Sequence, residues 1–303
     1  MYVITGATGH TGMVAAEKLL ATGAKVRVVG RDAKRLERFS QKGAEAFVAD
    51  MMDTAALEKA FSGARAVYAV MPPNISAEDV RAFQEKVTDS LAAAIRNSGI
   101  GYAVALSSTG ADKTYGTGPV LGVHSFEKKL ESIDGLNSLS LRCGYFMENL
   151  LPQIGIIQSL GFMAGPVRAD VPLPMIATSD IGAAAAESLA KLDFLGKQTR
   201  ELLGARHVTY TEAAKIIGNA IGKPDLTYRQ LPGSVLKPAM MQMGMSSNMV
   251  DLLLEMCEAL NTGHMKSQEP RSARNTTATT LETFVAEVFA PAYRGKAAGA
   301  STA

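Results

Sequence analysis

A chain of 303 residues with 47% hydrophobic and 20% charged side chains has the makeup of an ordinary globular protein, long enough for one large domain and a smaller partner. Its 31 basic residues stand against 29 acidic ones, a net charge of +2 with no clustered basic face, which excludes nucleic acid as the expected partner. Two distant cysteines, Cys143 and Cys257, and four scattered histidines give neither a disulfide framework nor metal-ligand spacing, so no metal is expected.

The chain enters its first expected strand, Tyr2–Thr5, without a signal peptide, and no apolar run reaches the roughly 20 residues of a membrane helix. A soluble, cytoplasmic protein with no membrane partner is therefore expected. Further strands are expected at Lys25–Val29, Ala46–Val48, Ala66–Val70, Tyr102–Leu106 and Ser138–Leu141, with helical stretches near 11–22, 33–41, 54–61, 77–97 and 121–133 between them. The strands are short and mostly apolar along their whole length. That pattern implies burial on both faces, as in a parallel sheet with helices on each side. Gly23, Gly43, Gly63, Gly99 and Gly135 each follow a helical pattern and precede a strand, where a left-handed residue ends the helix.

The alternation breaks near residue 150. Pro166, Pro172 and Pro174 punctuate an extended segment, and an alanine-rich helix is expected near 179–191 with Thr178, Ser179 and Asp180 as capping residues. A strand–helix–strand pattern near 199–231, a methionine-rich helical region at 239–265 and an amphipathic helix at about 278–290 complete the reading. The fold class is α/β: a Rossmann-type, doubly wound parallel sheet with a smaller C-terminal α/β substrate-binding region. The expected division is 1–150 for the Rossmann domain, whose ligand the next motif identifies, and 151–303 for the smaller region, with a disordered tail from about 295.

The informative motif is Thr5-Gly6-Ala7-Thr8-Gly9-His10-Thr11-Gly12, directly after the first strand and opening a helix. A dinucleotide's diphosphate must approach backbone closely and meet free N–H groups at a helix N-terminus. Gly6 allows the turn after the strand, Gly9 leaves room for the diphosphate, and Gly12 lets the helix pack against the strand. Thr8 and Thr11 offer hydroxyl donors, and His10 belongs to the same contact turn. No Gly-Lys-Ser/Thr follows, so a nucleoside-triphosphate loop is excluded. At the end of the second strand Arg31 stands where an arginine accommodates the 2′-phosphate of NADP(H). Asp32 comes one residue later and suits the cap of the helix at Ala33. NADP(H) is preferred, with NAD(H) as the alternative, and no flavin-binding feature is present.

With these motifs the chain resembles the NmrA-like atypical short-chain dehydrogenase/reductase family, which includes NADPH-dependent quinone reductases and non-catalytic NADP sensors. The resemblance rests on Gly6–Gly12, Val29–Asp32, Leu106–Gly110, the Arg142, Gly144, Glu148 and Asn149 spacing within Leu141–Asn149, Pro174–Gly182 and Thr209–Ala214. It implies that Asp50 and Met51 face the adenine, that Met71 and Pro72 in the loop after the fourth strand lie along ribose and phosphates, that Ser107 and Ser108 approach the nicotinamide ribose, and that Cys143 to Phe146 close over the nicotinamide. Typical short-chain dehydrogenases use Tyr-x-x-x-Lys as proton donor and ribose anchor. Here the corresponding region carries His124 and Lys128, which share a helix face, so His124 is the candidate acid and Lys128 the anchor. Tyr115 and Tyr145 are further, weaker candidate substitutes for the lost hydroxyl.

Two functions follow. One is an NADPH-dependent reductase passing hydride directly to a small, largely apolar electrophile such as a quinone, with Met240, Met241, Met243, Met245, Met249 and Met256 either lining an adaptable pocket or serving as core. The alternative is a non-catalytic NADP(H)-binding sensor of NmrA type. An isomerase or epimerase acting on a nucleotide-linked sugar is a weaker third reading. The expected partner is a small-molecule substrate, with a homodimer or a protein partner left open.

Overall fold

The computed structural model describes residues 1–295. The tail, expected to be disordered, lies from residue 296 onward outside the described residues. The first half alternates strictly: β1 (Tyr2–Thr5), α1 (His10–Ala21), β2 (Val26–Gly30), α2 (Ala33–Ser40), β3 (Glu45–Val48), α3 (Thr54–Phe61), β4 (Ala66–Ala69), α4 (Val80–Ser98), β5 (Tyr102–Ser108), α5 (Val120–Glu131) and β6 (Asn137–Cys143). These bounds agree with the expected ones to within three residues. The five glycines between helix and strand all have positive φ, from 67° to 88°. β5 and β6 each run two residues beyond their expected ends. Ser107, Ser108 and Cys143 are thereby held by sheet hydrogen bonds rather than carried on loops.

The second half follows as β7 (Tyr145–Phe146), α6 (Gln153–Leu160), β8 (Met163–Gly165), β9 (Leu173–Ile176), α7 (Thr178–Lys191), β10 (Lys197–Leu202), β11 (His207–Val208), α8 (Tyr210–Ile221), β12 (Tyr228–Gln230), α9 (Gly233–Gln242), α10 (Ser247–Asn261), α11 (Leu281–Phe284) and α12 (Ala290–Tyr293). A π-helical turn, Val285–Phe289, joins α11 to α12.

Seven strands form the central sheet in the order β10-β6-β5-β4-β1-β2-β3, every pairing parallel. It is a Rossmann-like α/β fold. The strand order reverses between β1 and β4, so their C-terminal ends diverge into a crevice, the place where open α/β sheets bind ligands. Thr5 braces that switch point: its hydroxyl donates to the carbonyl of Tyr68 (3.1 Å) and accepts from the amide of Val70 (2.8 Å). One apolar layer lies on each face of the sheet, the first including Ile4, Val28 and Tyr68, the second Val3, Val67 and Phe61. β3 departs from the two-sided burial expected of it, since Val48 is 54% exposed. It is the edge strand, with a neighbour on one side only.

A third apolar cluster, with Met147, Tyr210, Ile217 and Phe284, belongs to the second half. α7 packs back on α1, and a Cβ at Gly182 would meet the carbonyl of Thr11 at 2.6 Å. The absence of a side chain there lets the two helices touch. The start of α7 differs from expectation: Ala177 is the N-cap and has no side-chain bond. The Glu148 carboxylate, arriving from the turn after β7, takes the amide of Thr178 (3.0 and 3.1 Å) and its hydroxyl, while Asp180 accepts from Thr279. A carboxylate from a distant segment thus does the capping, leaving Asp180 free to tie down the chain before α11.

Candidate functional site

The C-terminal ends of β1, β4, β5 and β6 open into a cavity of about 800 Å³, roofed by α10 and bordered by the segment 171–174. Its wall begins at the glycine turn. Gly6 has φ +61°, and its carbonyl accepts from the amide of Gly9 (2.9 Å). Gly9 is the N-cap of α1, with no side-chain cap and no acid in the first turn, so the leading amides of the helix stay open. A Cβ at Gly12 would lie 2.4 Å from the carbonyl oxygen of Gly6. Only glycine lets the helix start this close to the strand. Gly9 and His10 are exposed on the cavity side, and Thr11 is buried beneath them. A bare turn ending on unpaired helical amides fits a diphosphate.

Past β2, Asp32 accepts from the amides of Lys34 (2.9 Å) and Arg35 (3.3 Å), which makes it the N-cap of α2. The guanidinium of Arg35 donates to the carbonyl of Thr8 (2.8 Å), and Arg31 is exposed. The charge of Arg35 therefore lies against the glycine turn. Asp50 holds the amide of Met52 (2.8 Å), and Met51 is buried in the apolar layer. Thr8, Gly12, Arg31, Asp50 and Met51 do not line the cavity.

At the other end, Met71 and Pro72 line the cavity after β4, and Ser107, Ser108, Cys143 and Tyr145 line it after β5 and β6. The Ser107 hydroxyl donates to Glu127 Oε1 (2.6 Å), and that of Ser108 to the carbonyl of Thr109 (3.0 Å). Burial pushes the Cys143 thiol far up, so it is a neutral wall atom. Tyr145 shares a hydrogen bond with the Tyr210 hydroxyl (2.7 Å); desolvation pushes its pKa up to about 12, with the Tyr210 bond pulling the other way. Tyr210 in turn stacks on Tyr228, ring centroids 4.2 Å apart.

α5 presents Pro119, Val120 and Val123 to the cavity. His124, one position further round, has Nδ1 2.7 Å from the carbonyl of Ala111, and Lys128 is exposed and pairs with Glu131 (2.8 Å). Neither lines the cavity. Tyr115 is 69% exposed, its ring against His264. Of the methionine stretch, Met249 and Met256 reach the cavity, joined by Met265, while Met241 and Met243 are exposed on the outer side of α9.

Residues that sequence reasoning passed over complete the site. Glu127, 2% exposed, receives Arg142 through both oxygens (3.0 and 2.6 Å) as well as Ser107. A lone acid in the apolar stripe of α5 and a lone arginine in β6 were the available signals. His207, read as scattered, lines the cavity too.

The whole chain can be set beside known proteins. A family model described as the NmrA-like family matches residues 2–287. The NADPH-dependent quinone oxidoreductase QOR2 of Escherichia coli, solved with NADPH, is similar at 24% identity and a TM-score of 0.81, covering 95% of this chain and 100% of that one. The Citrobacter sp. triphenylmethane reductase, solved with NADP(H), is similar at 18% identity and 0.79, covering 94% and 99%. A mutant NmrA aligns at 18% identity and 0.70, over 95% of each chain. A search of curated proteins gives no match.

Proposed function

The chain belongs to the NmrA-like family, and from that footing we propose that it is an NADP(H)-dependent oxidoreductase reducing a small, largely apolar electrophile such as a quinone. The observation that carries this reading is continuity: the glycine turn after β1 and the methionine-lined space under α10 are walls of one cavity. Bound there, a reduced nicotinamide supplies a hydride. The rest is done by the chain's own residues. The open amides of α1 hold the diphosphate, and Arg31 with Arg35 hold the 2′-phosphate. Ser107 and Ser108, fixed at the end of β5, face the ribose. Val123, Met249, Met256 and Met265 exclude water from the acceptor, and flexible thioethers adapt to its shape.

α5 offers the cavity no titratable side chain, so His124 and Lys128 are not needed for turnover in this proposal. A reduced quinone takes its proton from water, and the protein has only to align donor and acceptor. The structural likeness to QOR2, a quinone oxidoreductase, and to triphenylmethane reductase supports this choice over a sensor.

The test is loss of reduced-nicotinamide absorbance when purified protein and NADPH meet a panel of quinones and aldehydes. Turnover with at least one quinone is expected. Tight NADPH binding with no oxidation across the panel would replace the reductase with the sensor. A second result is expected from Arg31→Ala: NADPH binding weakens at least about tenfold, the value of a charge-assisted contact, while NADH binding stays level. Equal weakening for both cofactors would remove Arg31 from 2′-phosphate recognition.

A further inference from the structure

β11 pairs antiparallel with β9, placing His207 opposite Pro174 and Val208 opposite Leu173. Strand alternation sends Val208 into the core, 1% exposed, and leaves His207 half-buried in the cavity wall. Behind it stands Arg271, whose Nη2 lies 3.2 Å from His207 Nδ1. A guanidinium has only donors, so Nδ1 must accept. The imidazole is therefore neutral, with its hydrogen on Nε2. Arg271 is itself anchored, donating to the carbonyls of Gly204 (2.5 Å) and Leu203 (3.0 Å), so the tautomer is set by rigid backbone. Desolvation and then the Arg271 charge both push the histidine's pKa down, in agreement with that geometry.

Nε2 has no protein partner among the described residues, and it is absent from the buried polar atoms left sealed and unbonded. It is an accessible, unpaired N–H donor in a cavity whose neighbouring wall is Val171, Pro172, Leu173 and Pro174. A single oriented donor in an apolar wall fixes how a ligand lies. The Arg271 guanidinium behind it opposes a positive charge placed against the imidazole.

We infer that His207 is a specificity-determining residue whose Nε2–H donates to a carbonyl oxygen of an uncharged, flat acceptor, with Arg271 as the positioning residue that holds the tautomer. This rests on the reductase reading for its substrate class. The donor selects for an oxygen acceptor, and the Arg271 charge behind it selects against a cation at that point.

The experiment measures binding without turnover: protein saturated with NADP⁺, which has no hydride to give, is titrated calorimetrically with 1,4-naphthoquinone. His207→Phe is expected to weaken binding about five- to tenfold, the usual worth of one hydrogen bond lost to a buried partner, and His207→Gln, which keeps an N–H donor, to recover most of it. Arg271→Met should weaken binding less than His207→Phe. The dissociation constant for NADP⁺ is expected to stay level in all three, which separates lost recognition from lost folding. Equal naphthoquinone binding by wild type and His207→Phe overturns the inference. If the wild type binds naphthoquinone through His207 yet never oxidises NADPH, the reductase reading falls and this assignment stands.

Discussion

Gly12→Ala is expected to lower stability by about 1–3 kcal/mol and to weaken NADPH binding at least tenfold, whereas Gly9→Ala is expected to impair binding alone. The contrast comes from what each new methyl would meet. At Gly12 it would lie 2.4 Å from the carbonyl oxygen and 2.8 Å from the carbonyl carbon of Gly6, both backbone. Gly6 has little freedom to yield, because it sits at φ +61° with the side chain of Val70 3.2 Å from where its own Cβ would be. The start of α1 must then move away from β1, taking the open amides with it. At Gly9 the nearest atom to a new methyl is the Gly6 carbonyl oxygen at 3.3 Å, so the turn accepts it with a small shift. That methyl would instead project into the space proposed for a diphosphate. Thermal unfolding with and without NADPH, together with a nicotinamide fluorescence titration, separates the two. A Gly12→Ala protein that melts within about a degree of wild type would show that helix and strand are not locked as described.

The glycine turn and the six strands of the first half were legible because their determinants are local. An apolar run of four or five residues, closed by a glycine and followed by a helical pattern, has few other folds open to it. β10 was legible as a strand but not as the seventh of the main sheet. Its Lys197–Leu202 sequence is polar along most of its length, and its register on Ser138–Cys143 is set by chain more than fifty residues away. The capping of α7 escaped for the same reason. Thr178, Ser179 and Asp180 look like a local cap, whereas the carboxylate that satisfies Thr178 arrives from Glu148.

The face of α5 is the instructive case. The spacing of four between His124 and Lys128 does put them on one face, but another face looks into the cavity. Pro119, Val120 and Val123 mark it, and Glu127 continues it one turn on, beneath Ser107. The apolar stripe carried that phase in the sequence. Matching a motif by spacing ignored it, and a shift of one residue turns a helix by about 100°. His207 was illegible for a different reason: its partner Arg271 and its neighbour Pro174 are remote in sequence, and neither spacing nor periodicity joins them.

The buried pair of Glu127 and Arg142 carries the second large effect. Glu127 is 2% exposed and its charge is met by the two-point contact of Arg142 and by the Ser107 hydroxyl. Arg142 has more company: its pKa is raised first by the Glu127 bond and further by the charges of Asp112 and Glu201. Removing Arg142 leaves a buried charge uncompensated, at a cost of about 3–5 kcal/mol. The surroundings are unequal, so the costs should be too. Arg142→Met strands a nearly inaccessible carboxylate and is expected to be the more destabilising change; Glu127→Leu leaves an arginine that still faces two acids. The double variant should be more stable than Arg142→Met alone, since no buried charge is then left without its partner. Denaturant unfolding of the four proteins closes the cycle. If the double variant loses as much as the two single losses added together, the residues are not coupled and the pair does not act as a unit. NADPH affinity and turnover in the double variant then report on Ser107, which loses the Glu127 acceptor there while the fold keeps most of its stability. A fall in turnover at preserved stability would mean that this ion pair serves the site by holding one hydroxyl at the end of β5.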